Sequence, residues 1–154
     1  MEYKLYIQND LEDYASRDLP EIDRDGYVRP SFKRAELIKR AVNPDSFDYA
    51  CVGSYQGSYA FVLKKGGYTW IIKESFGSCS HCDSLMAKQT NFRRSEYSIE
   101  EALDIIWDYT LKMLRNAYCF ETEADAISYL EQKDGWTWRN EGLASDAIEI
   151  VKEI

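Results

Sequence analysis

The clearest pattern in the chain is a pair of apolar, aromatic-rich runs at residues 59–63 and 68–72. They flank residues 64–67, Lys-Lys-Gly-Gly, and a Gly-Gly pair readily adopts the positive φ values that a tight hairpin turn requires. The pattern therefore predicts a β-hairpin. Residues 47–52 have the same strand character just upstream, so we expect three consecutive antiparallel strands that form a meander.

Two further elements are predicted before this meander. Alternation at residues 3–7 is typical of a short edge strand. Ser31 can cap a helix that runs to about Val42, where Asn43-Pro44 stops it. We expect the basic residues of this helix to lie outside on a solvated face. Its inward-facing residues are predicted to be Phe32, Ala35, Leu37 and Ile38.

Helical patterns dominate the second half of the chain. Ser98 and Glu101 form a capping-box sequence, and apolar residues recur at helical spacing after it. Thr122 is the expected cap of a second helix, and Asn140 is the expected cap of the last one. Shorter segments are predicted as a helix at residues 83–88 and as strands at 118–120 and 136–138.

The order of these elements, strands early and helices late, predicts an α+β fold. We expect an antiparallel β-meander or hairpin sheet packed against C-terminal helices, with the helices on one face. The chain has 154 residues, of which 45% are apolar, so residues 1–154 are expected to form a single domain around one core. A doubly wound fold is disfavoured because the β-α-β alternations are too few, and no glycine-rich phosphate loop follows a strand.

The formal net charge of −8 is unevenly distributed. Residues 1–28 carry a net charge of −5 and residues 121–154 carry −6, whereas residues 29–40 form a basic cluster of +4. Direct binding to nucleic acid needs a basic face, and the overall balance opposes it. The candidate partner-binding acids of the N-terminal region are Asp10, Glu12, Asp13, Asp18, Glu21, Asp23 and Asp25.

Apolar runs are far shorter than the roughly 20 residues that span a bilayer. Charged Glu2 and Lys4 stand where a signal peptide would be apolar. We therefore expect a cytoplasmic protein that does not insert in a membrane. Four cysteines are too few for a disulfide scaffold, so reduced thiols are expected.

Cys79 and Cys82 are three positions apart in a glycine- and serine-rich loop after the hairpin. A Cys-x-x-Cys turn supplies half of a tetrahedral zinc site, which Cys51 and Cys119 would complete if the fold brought them together. The same spacing also occurs in thiol redox motifs. A third interpretation is a tight turn in which both thiols are structural. The spacing leaves these three alternatives open, and the pattern assigns no catalytic residue.

The hairpin and its loop carry a resemblance. Tyr55-Gln56-Gly57, the hairpin, and residues 77–83, Gly-Ser-Cys-Ser-His-Cys-Asp, resemble a motif of short bacterial and bacteriophage proteins of unknown function. The likeness covers about residues 47–86. It implies an origin in a bacterial host cell and brings no activity with it.

These features favour a non-enzymatic, protein-binding role. An acidic, tyrosine-rich domain is suited to a basic protein surface, such as the nucleic-acid channel of a bacterial defence nuclease, which an anti-CRISPR-like inhibitor would occupy. Acidic side chains would then replace phosphates, and Trp136 and Trp138 would supply aromatic anchors. No cofactor is required. The alternative is a zinc-binding or thiol-redox protein centred on Cys79 and Cys82.

Overall fold

A computed structural model describes residues 10–20, 33–53, 57–77, 98–132 and 142–154. Its centre is a four-stranded antiparallel sheet in which neighbouring strands follow one another along the chain. The strands are β1 (Ser46–Gly53), β2 (Gly57–Lys65), β3 (Tyr68–Phe76) and β4 (Tyr118–Phe120). The predicted α+β class and the meander are confirmed, and the short segment at 118–120 extends the meander to a fourth strand.

The turn between β2 and β3 follows the predicted glycine chemistry. Lys65 pairs with Tyr68, which leaves a two-residue loop of Gly66 and Gly67. Both glycines have positive φ, 65° and 83°. The ring of Tyr14 lies directly against Gly66, so a side chain at this position would collide with it.

Four α-helices and one short 3-10 helix accompany the sheet in the described residues. They are α1 (Arg34–Val42), α2 (Ile99–Arg115), α3 (Glu123–Glu131), α4 (Leu143–Glu153) and the 3-10 helix Leu11–Tyr14.

Two of the predicted helix starts are confirmed by their hydrogen bonds. The Ser98 hydroxyl accepts from the Glu101 amide at 3.1 Å, and Glu101 accepts from the Ser98 amide at 3.4 Å. The Thr122 hydroxyl accepts from the Asp125 amide at 3.1 Å. These bonds satisfy amides of the first helical turn, which have no partner within the helix.

The last helix starts later than predicted. Its N-cap is Gly142, with φ of 95°, rather than Asn140, and no side chain caps it. The first helical hydrogen bond runs from the Asp146 amide to the Gly142 carbonyl at 2.9 Å, so the helical repeat begins only at Leu143.

Helices cover both faces of the sheet, and the expectation of one covered face is wrong. On the first face, α1, α2 and the 3-10 helix pack over Phe61, Leu63 and Trp70. On the second face, α3 and α4 pack over Val62 and Ile71. The reason is that successive residues of a strand point to opposite faces, so the unbroken apolar runs of β2 and β3 present an apolar surface on each side.

Several predicted elements lie outside the described residues: the strand at residues 3–7, the helix at 83–88 and the strand at 136–138. Within the described part of the chain, no helix is both long enough and apolar enough to cross a membrane.

Candidate binding groove between α1 and β1

A groove with a volume of about 490 Å³ runs between α1 and β1 on the first face of the sheet. An adjoining hollow of about 310 Å³ shares Lys33, Ala35 and Tyr49 with it, and we call the two together the α1–β1 groove. Leu37 and Ile38 of α1 are fully buried in the core of the first face, whereas Asp48 and Tyr49 of β1 remain exposed beside the helix. Its lining residues are Lys33, Arg34, Ala35, Glu36, Lys39, Arg40, Phe47, Asp48, Tyr49, Tyr59 and Phe61.

The floor of the groove is aromatic. Phe47 and Tyr49 of β1 and Tyr59 and Phe61 of β2 share one face because each pair is two residues apart. Tyr59 stacks on Phe61 with ring centroids 5.3 Å apart, and Phe47 stacks on the other side at 6.0 Å. Phe61 is fully buried, but the side chain of Tyr49 is 46% exposed. The floor thus offers a large ring to solvent at the edge of the sheet.

The wall of the groove is cationic. Lys39 places its Nζ 5.9 Å from the centre of the Phe47 ring. Arg40 is neutralised within the protein, because it lies 3.3 Å from both Glu36 and Asp18. Lys33 and Lys39 have no carboxylate at ion-pair distance among the described residues. Within the described residues, Lys33 and Lys39 therefore face the groove without an ion-pair partner, although the exposed carboxylate of Asp48 lines the same groove.

A buried polar cluster closes the inner end of the groove. Arg34 Nε donates to Tyr109 Oη at 3.1 Å and lies 3.4 Å from Glu74 Oε2, and Tyr109 Oη donates to the same carboxylate oxygen at 3.0 Å. The guanidinium also lies 5.9 Å from the ring centre of Tyr59. We call Arg34, Glu74 and Tyr109 the Arg34 cluster. It joins α1, β3 and α2.

The Arg34 cluster corrects the expectation that every basic residue of α1 is solvated. Lys39 and Arg40 are exposed, whereas the Arg34 side chain is only 8% exposed. A sequence signal for this pairing existed at Glu74. It stands two and four residues after Ile72 and Trp70, so it shares their inward face, and a carboxylate on such a face requires a partner.

The two described cysteines do not come together. Cys51 lies on β1 and Cys119 on β4, at opposite edges of the sheet, and three strand spacings of about 4.8 Å separate those edges. Zinc–sulfur bonds are about 2.3 Å long, so these two thiols are too far apart to share one tetrahedral ion. Cys79 and Cys82 lie outside the described residues. Within the described ranges, no group of three potential metal ligands occurs.

Neither described thiol is activated. Cys51 is exposed, but partial desolvation by its neighbours raises the pKa of its thiol, and a hydrogen bond with the Tyr59 side chain opposes this effect. Burial raises the pKa of Cys119 to about 11. A raised pKa reduces the thiolate fraction near neutral pH, and the thiolate is the reactive form.

The predicted partner-binding acids are partly engaged inside the protein. Glu12 lies 2.8 Å from Arg115, and Asp18 pairs with Arg40. Asp10 and Asp13 are exposed. The remaining residues of that predicted set lie outside the described residues: Glu21, Asp23, Asp25, Trp136 and Trp138.

A stronger acidic surface lies on the second face of the sheet. The described residues of 121–132 and 142–154 contain seven acids and a single base, Lys152. Asp146, Glu149 and Glu153 are all exposed and follow one another at helical spacing along α4, and we call them the acidic stripe. The other four acids are Glu121, Glu123, Asp125 and Glu131.

Lys33 and Lys39 thus lie in the groove on the first face of the sheet, whereas the acidic stripe lies on the second. Sequence reasoning located the charges but not the aromatic floor beside them. Comparison with known protein families, curated proteins and solved structures finds no match to this chain.

Proposed function

We propose that this protein is a non-enzymatic binding module that docks on a basic surface of another protein through the acidic side formed by α3 and α4. The observation that carries this proposal is that the described residues of 121–132 and 142–154, which form that side, contain seven acids and one base. Lys64 of β2 also reaches this side and neutralises Glu123, which still leaves a clear excess of acids. Complementary charge of this kind accelerates encounter and disfavours partners of the wrong sign.

The acidic stripe is a better candidate than the N-terminal acids for this contact. Only Glu149 of the stripe has an ion-pair partner among the described residues, Lys152 at 3.5 Å, and both groups are more than half exposed. An exposed pair of this kind is worth little and is readily exchanged for a partner's cation. Glu12 and Asp18, in contrast, already neutralise arginines of α2 and α1.

The sequence also predicts which kind of basic surface the partner has. The basic surface would be the nucleic-acid channel of a bacterial defence nuclease, and the carboxylates of the stripe would occupy the positions of phosphates, as in an anti-CRISPR-like inhibitor. The zinc or thiol-redox alternative depends on Cys79 and Cys82 and gains no support from Cys51 and Cys119, which the sheet holds apart.

Charge reversal tests this proposal directly. The variant Asp146→Lys, Glu149→Lys, Glu153→Lys changes the charge of the stripe by six units without touching the core. A matched variant, Asp10→Lys, Asp13→Lys, Glu100→Lys, makes the same change at three other exposed acids. Wild-type protein and both variants serve as bait in a bacterial lysate at 50 and 300 mM salt, about the range over which screening becomes strong.

We expect the wild-type protein to capture a nucleic-acid-binding protein at about 50 mM salt. The stripe variant should not capture this partner, nor should the wild type at about 300 mM salt, whereas the matched variant should retain it at about 50 mM salt. The purified partner should then release a labelled DNA or RNA duplex when wild-type protein is added. Retention by both variants would contradict the proposal. Selective loss in the matched variant would instead move the interface to the N-terminal acids.

A further inference from the structure

We propose that the α1–β1 groove binds an extended acidic peptide of another protein, which adds to the outer edge of β1 and lies under the lysines of α1 and its N-cap. This site is on the opposite face of the sheet from the acidic stripe, so it is independent of the function proposed above. The proposal rests on the edge, the floor and the wall of the groove, taken in turn.

In the part of the chain that the structure describes, β1 is an edge strand of the sheet. Among the described residues β1 pairs with β2 alone, over the whole register from Ser46 with Lys64 to Gly53 with Gly57. Asp48, Tyr49 and Cys51 are exposed along it. An unpaired edge offers backbone groups to an incoming extended segment, and a groove between such an edge and a helix is a recurrent peptide-binding geometry.

One edge amide already has a carboxylate acceptor. The Tyr49 amide donates to Asp48 Oδ1 at 2.8 Å, in an exposed position. Edge strands commonly protect themselves from unwanted pairing with charged side chains. An incoming strand would replace this carboxylate with a backbone carbonyl.

The floor supplies apolar contact for alternate side chains of the peptide. The exposed ring of Tyr49 leans on its neighbours, with centroid distances of 5.9 Å to Tyr59 and 5.7 Å to Phe61. Because these rings are already held by one another, a bound side chain gains contact without the cost of ordering them. Aromatic residues of this kind are frequent anchors at interfaces.

The two lysines of the wall favour a peptide with negative charge. Lys33 and Lys39 line the groove, and neither has a carboxylate partner among the described residues. An acidic peptide provides that counter-charge. A nucleic acid is disfavoured because Lys33 and Lys39 would neutralise only about two phosphates, whereas a short peptide with two carboxylates needs no further cation.

The test uses a synthetic probe, the blocked heptapeptide Glu-Ser-Val-Ser-Glu-Ser-Val, titrated into ¹⁵N-labelled full-length protein. Its glutamates and valines all fall on one face of an extended strand, so both can reach the groove. The expected result is saturable shifts of the amides of β1 residues 47–51 and of Lys33 and Lys39. The same peptide with lysine in place of glutamate should not saturate. A variant Lys33→Glu, Lys39→Glu should bind the acidic peptide at least about tenfold more weakly. The matched variant Lys112→Glu, Arg17→Glu changes the same charge at two exposed cations outside the groove and should bind within about twofold of wild type.

Three outcomes would overturn the proposal. The first is equal binding of the acidic peptide by the groove and matched variants. The second is saturable shifts of the same β1 amides by an eight-nucleotide thymidine strand and not by the peptide. The third is concentration-dependent shifts of these amides in the protein alone, which would assign the groove to a second copy of the chain. None of these results depends on the acidic stripe, so failure here leaves the function proposed above to its own test.

Discussion

Removal of the Arg34 guanidinium should destabilise the protein by about 3 kcal/mol, at the lower end of the range for a broken buried ion pair. Arg34→Met keeps much of the side-chain volume but removes the cation beside Glu74, whose side chain is only 15% exposed. It also deprives Tyr109 of a donor at 3.1 Å, and such a bond contributes about 1 kcal/mol. The remaining exposure of Glu74 keeps the total below the full cost of an isolated buried carboxylate.

Two further variants of the Arg34 cluster should lose less stability than Arg34→Met alone. Arg34→Met combined with Glu74→Leu removes both charged groups of the Arg34 cluster, so the double variant should recover most of the loss, to within about 1 kcal/mol of wild type. Tyr109→Phe removes only a hydroxyl and should cost about 1 kcal/mol. Urea unfolding at pH 7, followed by tryptophan fluorescence and far-ultraviolet circular dichroism, gives each free energy of unfolding.

The double-mutant cycle decides whether the interaction is direct. A coupling energy of 0.5 kcal/mol or more between positions 34 and 74 is expected for groups in contact. If Arg34→Met alone stays within about 0.5 kcal/mol of wild type, the guanidinium is not the buried counter-charge of Glu74. If the double variant loses the sum of the two single losses, the reasoning on uncompensated charge is wrong.

Two other predictions concern the sheet. Gly57→Ala should destabilise the protein by at least about 2 kcal/mol, because a Cβ at this position would overlap the Val52 carbonyl. A Cβ at Gly67 meets open space, so Gly67→Ala should cost only about 1 kcal/mol for its left-handed backbone. Equal urea midpoints for the two variants would contradict this prediction. The other prediction concerns Cys119, since burial raises the pKa of its thiol to about 11. The neutral thiol therefore contributes to the free energy of unfolding. This contribution is fully present below the ordinary cysteine pKa of about 8.5 and is lost as the pH rises toward 11. Cys119→Val should therefore lose less free energy of unfolding than wild type between pH 8 and 10.5, and parallel losses in the two proteins would refute the role of this thiol.

Local chemistry in the sequence was enough to predict most of the elements. Gly66 and Gly67 predicted the hairpin turn because few other residues adopt two successive positive φ values. Ser98 with Glu101, and Thr122, predicted two helix starts because their side chains bond amides only three residues away. Each of these signals acts within a few residues, so no knowledge of the rest of the chain was needed. The sequence pattern did not predict the late start of the last helix at Gly142, because a backbone conformation, and no side chain, defines this start.

Only the tertiary structure decided which charges and rings meet. Arg34 and Glu74 are 40 residues apart, and their contact follows from the seating of α1 over β3. The strand register places Tyr49 opposite Phe61 and so builds the floor of the groove, whereas strand order carries Cys51 and Cys119 to opposite edges. The second covered face arose in the same way, because α4 had to find apolar surface that the first helices left open. Such pairings depend on long-range packing. A local sequence pattern indicates which residues must be buried, but not which residues they pack against.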